Sequence, residues 1–286
     1  MKFSVITASY NYADIITNAI ESVLSQTYKD WELIIVDDGS TDNSVEVIKN
    51  YTEKYSNIRL YEHPKRENKG LTKTIQLGLE HARGEYIAFL ESDDCWENNY
   101  LEEKLNILNK YPETKFIFND VKLFGDENLV LNMEKNLVHA KKILSLKAGY
   151  RSPFQYFFAL NIVPTFSSVI VEKNTLLDCN FDSPLDSHID LWLWIQISRM
   201  NRMYYIDKKL TNWMIHPHSY LNLYRQNSQK DESEEFYEKM LNLLENLKNT
   251  SFFFKLKLKL IRFFIIPKIN KIFRGLIRKI YVLMEE

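Results

Sequence analysis

The chain has 286 residues, 45% hydrophobic and 26% charged, enough for one large α/β domain or two modest ones with a sizeable core. A formal net charge of −1 argues against a nucleic-acid binder. Its two cysteines, Cys95 and Cys179, show no metal-type spacing and predict a reducing compartment.

No basic region followed by a long apolar run marks a signal peptide. No stretch reaches the ~18 uninterrupted apolar residues of a spanning helix. Phe3 to Ala8 predicts a short buried strand, stopped by Ser9-Tyr10-Asn11. Ile15, Ile16, Ala19, Ile20, Val23 and Leu24 recur at helical spacing, with Asp14 as an N-terminal acid. Trp31 to Val36 is a second strand, stopped by Asp37-Asp38-Gly39-Ser40. Val45, Val47, Ile48 and Tyr51 predict a helix with Ser40 or Thr41 near its cap and Asp42 in its first turn. A short strand over Ile58 to Tyr61, a helix over Leu71 to Ala82 and a strand over Glu85 to Leu90 follow.

Alternating apolar strands and helices predict an α/β fold with a mainly parallel, covered sheet. In such sheets ligands bind beyond the carboxyl ends of the strands. Three strands end there in polar clusters: Ser9-Tyr10-Asn11, Asp37-Asp38-Gly39-Ser40 and Glu91-Ser92-Asp93-Asp94. Neither the dinucleotide fingerprint G-x-G-x-x-G nor a Walker loop is present, so a bound nucleotide would not sit in a glycine-rich phosphate cradle. Further on, Phe116 to Phe118, Val169 to Val171 and Tyr204 to Ile206 read as strands. Leu191 to Ile197 reads as a buried helix, and Asp231 to Lys248 as a polar amphipathic one.

Repelling acids at a strand end suit a hard divalent cation, Mn2+ or Mg2+, held by one or two carboxylates plus substrate phosphates. An acidic turn that only caps a helix is the commoner arrangement for a lone Asp-Asp pair. Three polar strand ends in one sheet favour the cation, with Asp93 and Asp94 as its ligands.

These stretches resemble the inverting family 2 glycosyltransferases, which have the GT-A fold. The resemblance is carried by "SVITASYN", "AIESVLSQTYKDWELIIVDDGSTDNS", "NKGLTKTIQLGLEHARGEYIAFLESDDCW" and, more weakly, "HIDLWLW". It implies a Rossmann-like, mainly parallel sheet covered by helices. Residues 1–125 would bind the nucleotide sugar, 126–225 would bind the acceptor and carry catalysis, and 226–286 would form a helical C-terminal extension.

Residue by residue, the resemblance implies that Ala8, Ser9 and Tyr10 line the nucleotide pocket. Asp38 would contact the base, typically uracil. Asp93 would lie near the ribose and Asp94 would ligate the metal. Glu91 stands where the family usually has Asp. Lys69 and Lys73 lie where the family often has donor contacts; solvated helix charges explain them equally well. His216 falls where related enzymes have a histidine reaching the metal or diphosphate, and a surface histidine is its other reading. Trp96 is expected to pack beneath the metal loop.

Inversion needs a base for the acceptor hydroxyl. The family's usual motif is Glu-Asp, one residue, then Asp-Leu-Trp-Leu. Aligning Asp190-Leu191-Trp192-Leu193 puts His188 at the base position. Ser187 and Asp190 have the form of a capping box, and a helix N-terminus there favours the neutral imidazole. His188 and Asp190 are both candidates, with Asp186 third.

Between Ser251 and Met284 lie Lys255, Lys257, Lys259, Arg262, Lys268, Lys271, Arg274, Arg278 and Lys279, with no acid. Pro267 divides this aromatic, basic segment into two helices. It predicts attachment to an anionic membrane surface, hence a cytoplasmic protein peripheral to the inner face of the membrane. A helical hairpin packed on the domain or a partner is the alternative. The expected activity is metal-dependent transfer from a nucleoside-diphosphate sugar, with a UDP-sugar as the expected donor, to a hydroxyl of a surface or lipid-linked glycan. A sugar nucleotidyltransferase and a catalytically dead binding module are the competing readings.

Overall fold

The computed structural model describes residues 1–144, 147–151, 162–183, 189–217 and 219. The readings for His188 and Asp186, the helix over 231–248 and the basic segment 251–284 lie outside these residues.

The N-terminal part follows the expected alternation: β1 (Phe3–Ser9), α1 (Ile16–Leu24), β2 (Trp31–Asp37), α2 (Ser44–Thr52), β3 (Ile58–Glu62), α3 (Leu71–His81) and β4 (Tyr86–Phe89). Then come β5 (Cys95–Trp96), α4 (Tyr100–Lys110), β6 (Phe116–Gly125), α5 (Glu127–Leu144) and β7 (Gly149–Arg151). β8 (Val169–Glu172), α6 (Lys173–Leu177), α7 (Ile189–Met200) and β9 (Met203–Ile215) complete the described chain. The strands form one nine-stranded sheet, ordered β3-β2-β1-β4-β8-β6-β9-β5, with β7 also paired to β9. It is parallel from β3 to β4; β8 then inserts antiparallel between β4 and β6, and β6 and β9 run parallel.

Burial on both faces explains the unbroken apolar strands. In β1 and β2, Val5, Leu33 and Ile35 face α1, α2 and α4, packing with Ile16, Ile20, Ile48 and Leu101. The alternate residues Ile6, Ile34 and Val36 face α3 and α7, packing with Ile75, Leu79 and Trp194. This is the two-residue period of a strand feeding two cores. α7 is buried nearly all round, and its Trp194 ring lies 4.9 Å from Phe116 and 5.4 Å from Phe166.

Some expectations are corrected. α2 starts at Ser44, after Asn43, with no side-chain cap. Ser40 instead joins the β1 and β2 ends, its Oγ accepting the Asn11 N–H and donating to Asp37, while Asp42, just before α2, accepts both the Ala13 N–H and the Ser44 N–H that opens the helix. Asp14 lies before α1, which has no acid in its first turn. β6 and β9 extend well past Phe118 and Ile206 and stay paired as far as Gly125 and Ile215. There their side chains are mostly exposed or half-buried, so no apolar run announces them. α4 went unpredicted because its buried stripe of Tyr100, Leu101 and Leu108 contains a lysine, Lys104, which is itself fully buried.

Candidate active site

The carboxyl ends of β1, β2 and β4 share one edge, because the three strands are mutually parallel. Ser9 pairs in register with Asp37, and the Asp38 N–H donates to the Ser9 carbonyl. This hydrogen bond sets the polar end of β1 directly beside that of β2. Ala8 is half-buried, and its carbonyl accepts the Ser92 hydroxyl at 2.9 Å, which joins the β1 end to the loop after β4. Ser9 is buried, its hydroxyl without a partner among the described residues, while Tyr10 is 45% exposed.

Asp38 is buried, and each of its oxygens holds a backbone N–H of the segment before α3: Lys69 at 2.7 Å and Gly70 at 3.0 Å. His63 Nε2 lies 3.6 Å from the same carboxylate and 3.0 Å from the Thr74 hydroxyl. Gly39 lets this segment approach: a Cβ there would lie 2.6 Å from the Arg66 carbonyl oxygen, and its φ of +81° suits glycine. Lys69 thus reaches Asp38 through its main chain; its ammonium pairs with Glu67. Lys73 is exposed on α3.

In the loop after β4 the acids diverge. Asp94 is fully buried; its Oδ1 accepts the Met214 N–H at 2.8 Å, and its Oδ2 lies 3.5 Å from the Thr165 hydroxyl. Asp93 is more open, with Oδ2 shared by His216 Nε2 at 3.0 Å and the Tyr12 hydroxyl at 3.4 Å. His216 therefore meets Asp93, with its ring edge-on to Tyr12. Glu91 accepts the Thr165 hydroxyl and lies in the electrostatic field of Asp190, at the start of α7. Of the two base candidates, Asp190 acts electrostatically on Glu91 from the start of α7; His188 lies outside the described residues.

Burial, then the neighbouring Asp93, pushes Glu91 up to about 8 against the opposing Thr165 bond. Burial, then Asp93 and Glu91, drives Asp94 well above the carboxylate range. Tyr12 is raised by burial and then by Asp93. A cation would relieve this concentration of buried negative charge. Among the described residues no three His, Cys, Asp or Glu side chains converge to cage a metal alone. The adjacent Asp93 and Asp94 still fit a hard cation that completes its shell with substrate phosphate and water.

Tyr12, Thr165 and Ser167 were missed in the sequence. Tyr12 follows a turn with no periodic signal. The Thr-Phe-Ser-Ser run at 165–168 has the form of a hydroxyl-capped turn before a strand, and that signal could have identified it. Trp96 lies where expected, beneath the loop: it stacks on Tyr100 at 4.0 Å and donates to the Ser167 carbonyl at 2.7 Å.

Comparison with known proteins bears on this geometry. The family model for glycosyl transferase family 2 matches residues 4–164. An uncharacterized glycosyltransferase of Rickettsia felis is 33% identical over 228 residues, covering 77% of this chain and 35% of that protein. A putative teichuronic acid biosynthesis glycosyltransferase, TuaG, of Bacillus subtilis is 37% identical over 142 residues, covering 50% of this chain and 54% of that protein. The matched region thus spans between a third and rather more than half of these curated relatives.

Among solved structures, S. aureus TarS 1–349 in complex with UDP-GlcNAc superposes with a TM-score of 0.65 at 19% identity, covering 91% of this chain and 70% of that one. The mannosyltransferase PcManGT from Pyrobaculum calidifontis, in complex with GDP-Man and Mn2+, superposes with a TM-score of 0.61 at 18% identity, covering 90% and 68%.

Proposed function

Since the chain belongs to glycosyl transferase family 2 and has the GT-A fold, we propose that it is a metal-dependent inverting glycosyltransferase using a nucleoside-diphosphate sugar, with UDP as the nucleotide. The observation that carries this reading is the convergence of Asp38, Asp93 and Asp94 on one sheet edge. The complexes of TarS with UDP-GlcNAc and with UDP, and of PcManGT with GDP-Man and Mn2+, support the donor class and the cation.

On this reading residues 1–125 hold the donor, with Ala8, Ser9, Tyr10 and Asp38 around the nucleoside and Asp93 towards the ribose. Lys69 and Lys73 would add donor contacts, Lys69 through the main chain that meets Asp38. Asp93 and Asp94 would hold Mn2+ or Mg2+, and His216 steadies Asp93 at 3.0 Å. Bound there, the cation would neutralise diphosphate charge and make the nucleoside diphosphate a better leaving group. The acceptor hydroxyl oxygen attacks the anomeric carbon and the bond to the diphosphate oxygen breaks with inversion. The hydroxyl proton passes to a base on the acceptor side, in residues 126–225. Asp190 fills that role best among the described residues, since α7 sets it within the field of Glu91; His188 is the competing candidate.

The likeness to TuaG favours a cell-surface polysaccharide acceptor. No helix among the described residues is long and apolar enough to cross a membrane. The basic, acid-free segment 251–284 would attach the protein to anionic lipid at the inner face of the cell membrane.

The test is a panel of nucleotide sugars assayed for nucleotide release with and without Mn2+, on the native chain and on Asp190→Asn and His188→Ala. UDP released only with Mn2+, and lost in one variant, supports the reading. Full turnover in both variants rejects the base assignment, and pyrophosphate release from a nucleoside triphosphate rejects the transferase. Vesicle flotation of a chain ended at Thr250 tests the membrane segment; unchanged partition rejects it.

A further inference from the structure

A short 3-10 turn, Phe166–Ser168, starts just past the residues matched to the family and reaches into the acid loop. The hydroxyl of Thr165, the residue before it, bonds Glu91 and lies 3.5 Å from Asp94 Oδ2. The Ser167 hydroxyl accepts the Glu91 N–H at 2.9 Å. One hydroxyl therefore reaches both buried carboxylates, and the other fixes the backbone of Glu91 where the loop leaves β4.

The turn is itself fixed from below. Trp96 Nε1 at 2.7 Å and the Thr211 hydroxyl at 3.0 Å donate to the Ser167 carbonyl. Buried Lys104 donates to the Ser168 carbonyl at 2.9 Å, and the Ser168 hydroxyl donates to the Thr165 carbonyl at 2.7 Å. Lys104 also sits over the Tyr100 ring, on which Trp96 stacks. So many bonds hold the turn that its hydroxyls are set in place before any ligand arrives.

The chemistry of the clamp is selective. A lysine or arginine between two carboxylates would neutralise them and compete with an incoming cation. A hydroxyl orients them and adds no charge. Bound to Thr165, the longer arm of Glu91 is drawn towards the turn, with its backbone tied to Ser167, and Asp94, held by Met214 and Thr165, keeps one orientation. We propose that Thr165 and Ser167 are positioning residues of the cation site, holding Glu91 aside and fixing Asp94 so that Asp93 and Asp94 receive the ion. This rests on the reading of Asp93 and Asp94 as the cation ligands.

The experiment is a Mn2+ titration of the full chain, followed by the electron-paramagnetic signal of free Mn2+, alone and with saturating UDP. Thr165→Val removes the hydroxyl at constant shape and weakens Mn2+ binding about tenfold, whereas Thr165→Ser stays within about twofold of the native chain. Ser167→Ala weakens it similarly and serves if the valine variant fails to fold. UDP affinity without metal stays at the native value in each variant. Native Mn2+ affinity in both Thr165→Val and Ser167→Ala overturns the proposal, as does Thr165→Ser binding as weakly as Thr165→Val. A native chain that binds no Mn2+, with or without UDP, overturns the cation reading itself, a failure visible before any variant is made.

Discussion

Replacing Asp38 by Asn separates two ways in which this carboxylate can serve the nucleotide. In the native chain its two oxygens hold the N–H groups of Lys69 and Gly70, one each, at 2.7 and 3.0 Å. Asparagine keeps the shape and offers one acceptor; its amide nitrogen turns a donor towards the other N–H. One charge-assisted bond is lost and one donor is left unmet at a buried site, together ~3 kcal/mol. The cost need not fall on the whole fold, because residues 69–70 can open locally while the sheet stays intact. Each ~1.4 kcal/mol is a factor of ten, so the Lys69 and Gly70 amides exchange with solvent about 100-fold faster. Amides of β1 and β2 keep their protection, and UDP affinity measured by calorimetry falls as the segment loosens. Native exchange at Lys69 and Gly70 with UDP binding abolished would refute this reasoning: Asp38 would then act on the nucleotide alone and not through the segment it holds.

Asp94→Asn abolishes the Mn2+-dependent part of the thermal shift with UDP and lowers turnover by about 100-fold or more. Trp96→Phe keeps the stack on Tyr100 but loses the bond to the Ser167 carbonyl, which retains Thr211; urea melts show a cost of ~1 kcal/mol. Lys104 gives a pH signature, since burial holds its ammonium well below its ordinary 10.5. Between the folded and unfolded values the unfolded chain binds the extra proton, so stability rises with pH, by up to ~1.4 kcal/mol per unit, and is lost as pH falls. Lys104→Met removes that slope, and urea melts at pH 7 and pH 9 measure it against the native chain; equal slopes would reject a neutral Lys104.

The parallel half of the fold was legible because each strand is a short apolar run closed by turn residues and each helix shows its period. The candidate site was legible only in part. Asp38, Asp93 and Asp94 stand at strand ends, where position in the sequence implies position in space. Tyr12, Thr165 and Ser167 carry no such mark: nothing in the chain says that residue 165 touches residue 91 until β8 is seen beside β4. α4 was hidden by Lys104, whose charge breaks an apolar stripe that the fold nonetheless buries. For Lys69 the sequence shows a charged side chain, whereas the contact with Asp38 is made by its main chain, which no residue type announces.

The place of β8 has a consequence for how the protein is made. β4 pairs on one side with β1 and on the other with β8, which is more than 80 residues downstream. During synthesis β1 to β4 can assemble among themselves while the outer edge of β4 waits, its backbone groups open to any other chain. That interval closes only when Val169–Glu172 has left the ribosome and crossed back to the middle of the sheet. Closing so long a loop is slow. The strand that ends the interval follows directly on the turn that binds Glu91 and Asp94. The turn that gathers Glu91 and Asp94 and the strand that covers the edge of β4 are thus one continuous stretch of chain, and Met214 and His216 reach the same acids from still further along it.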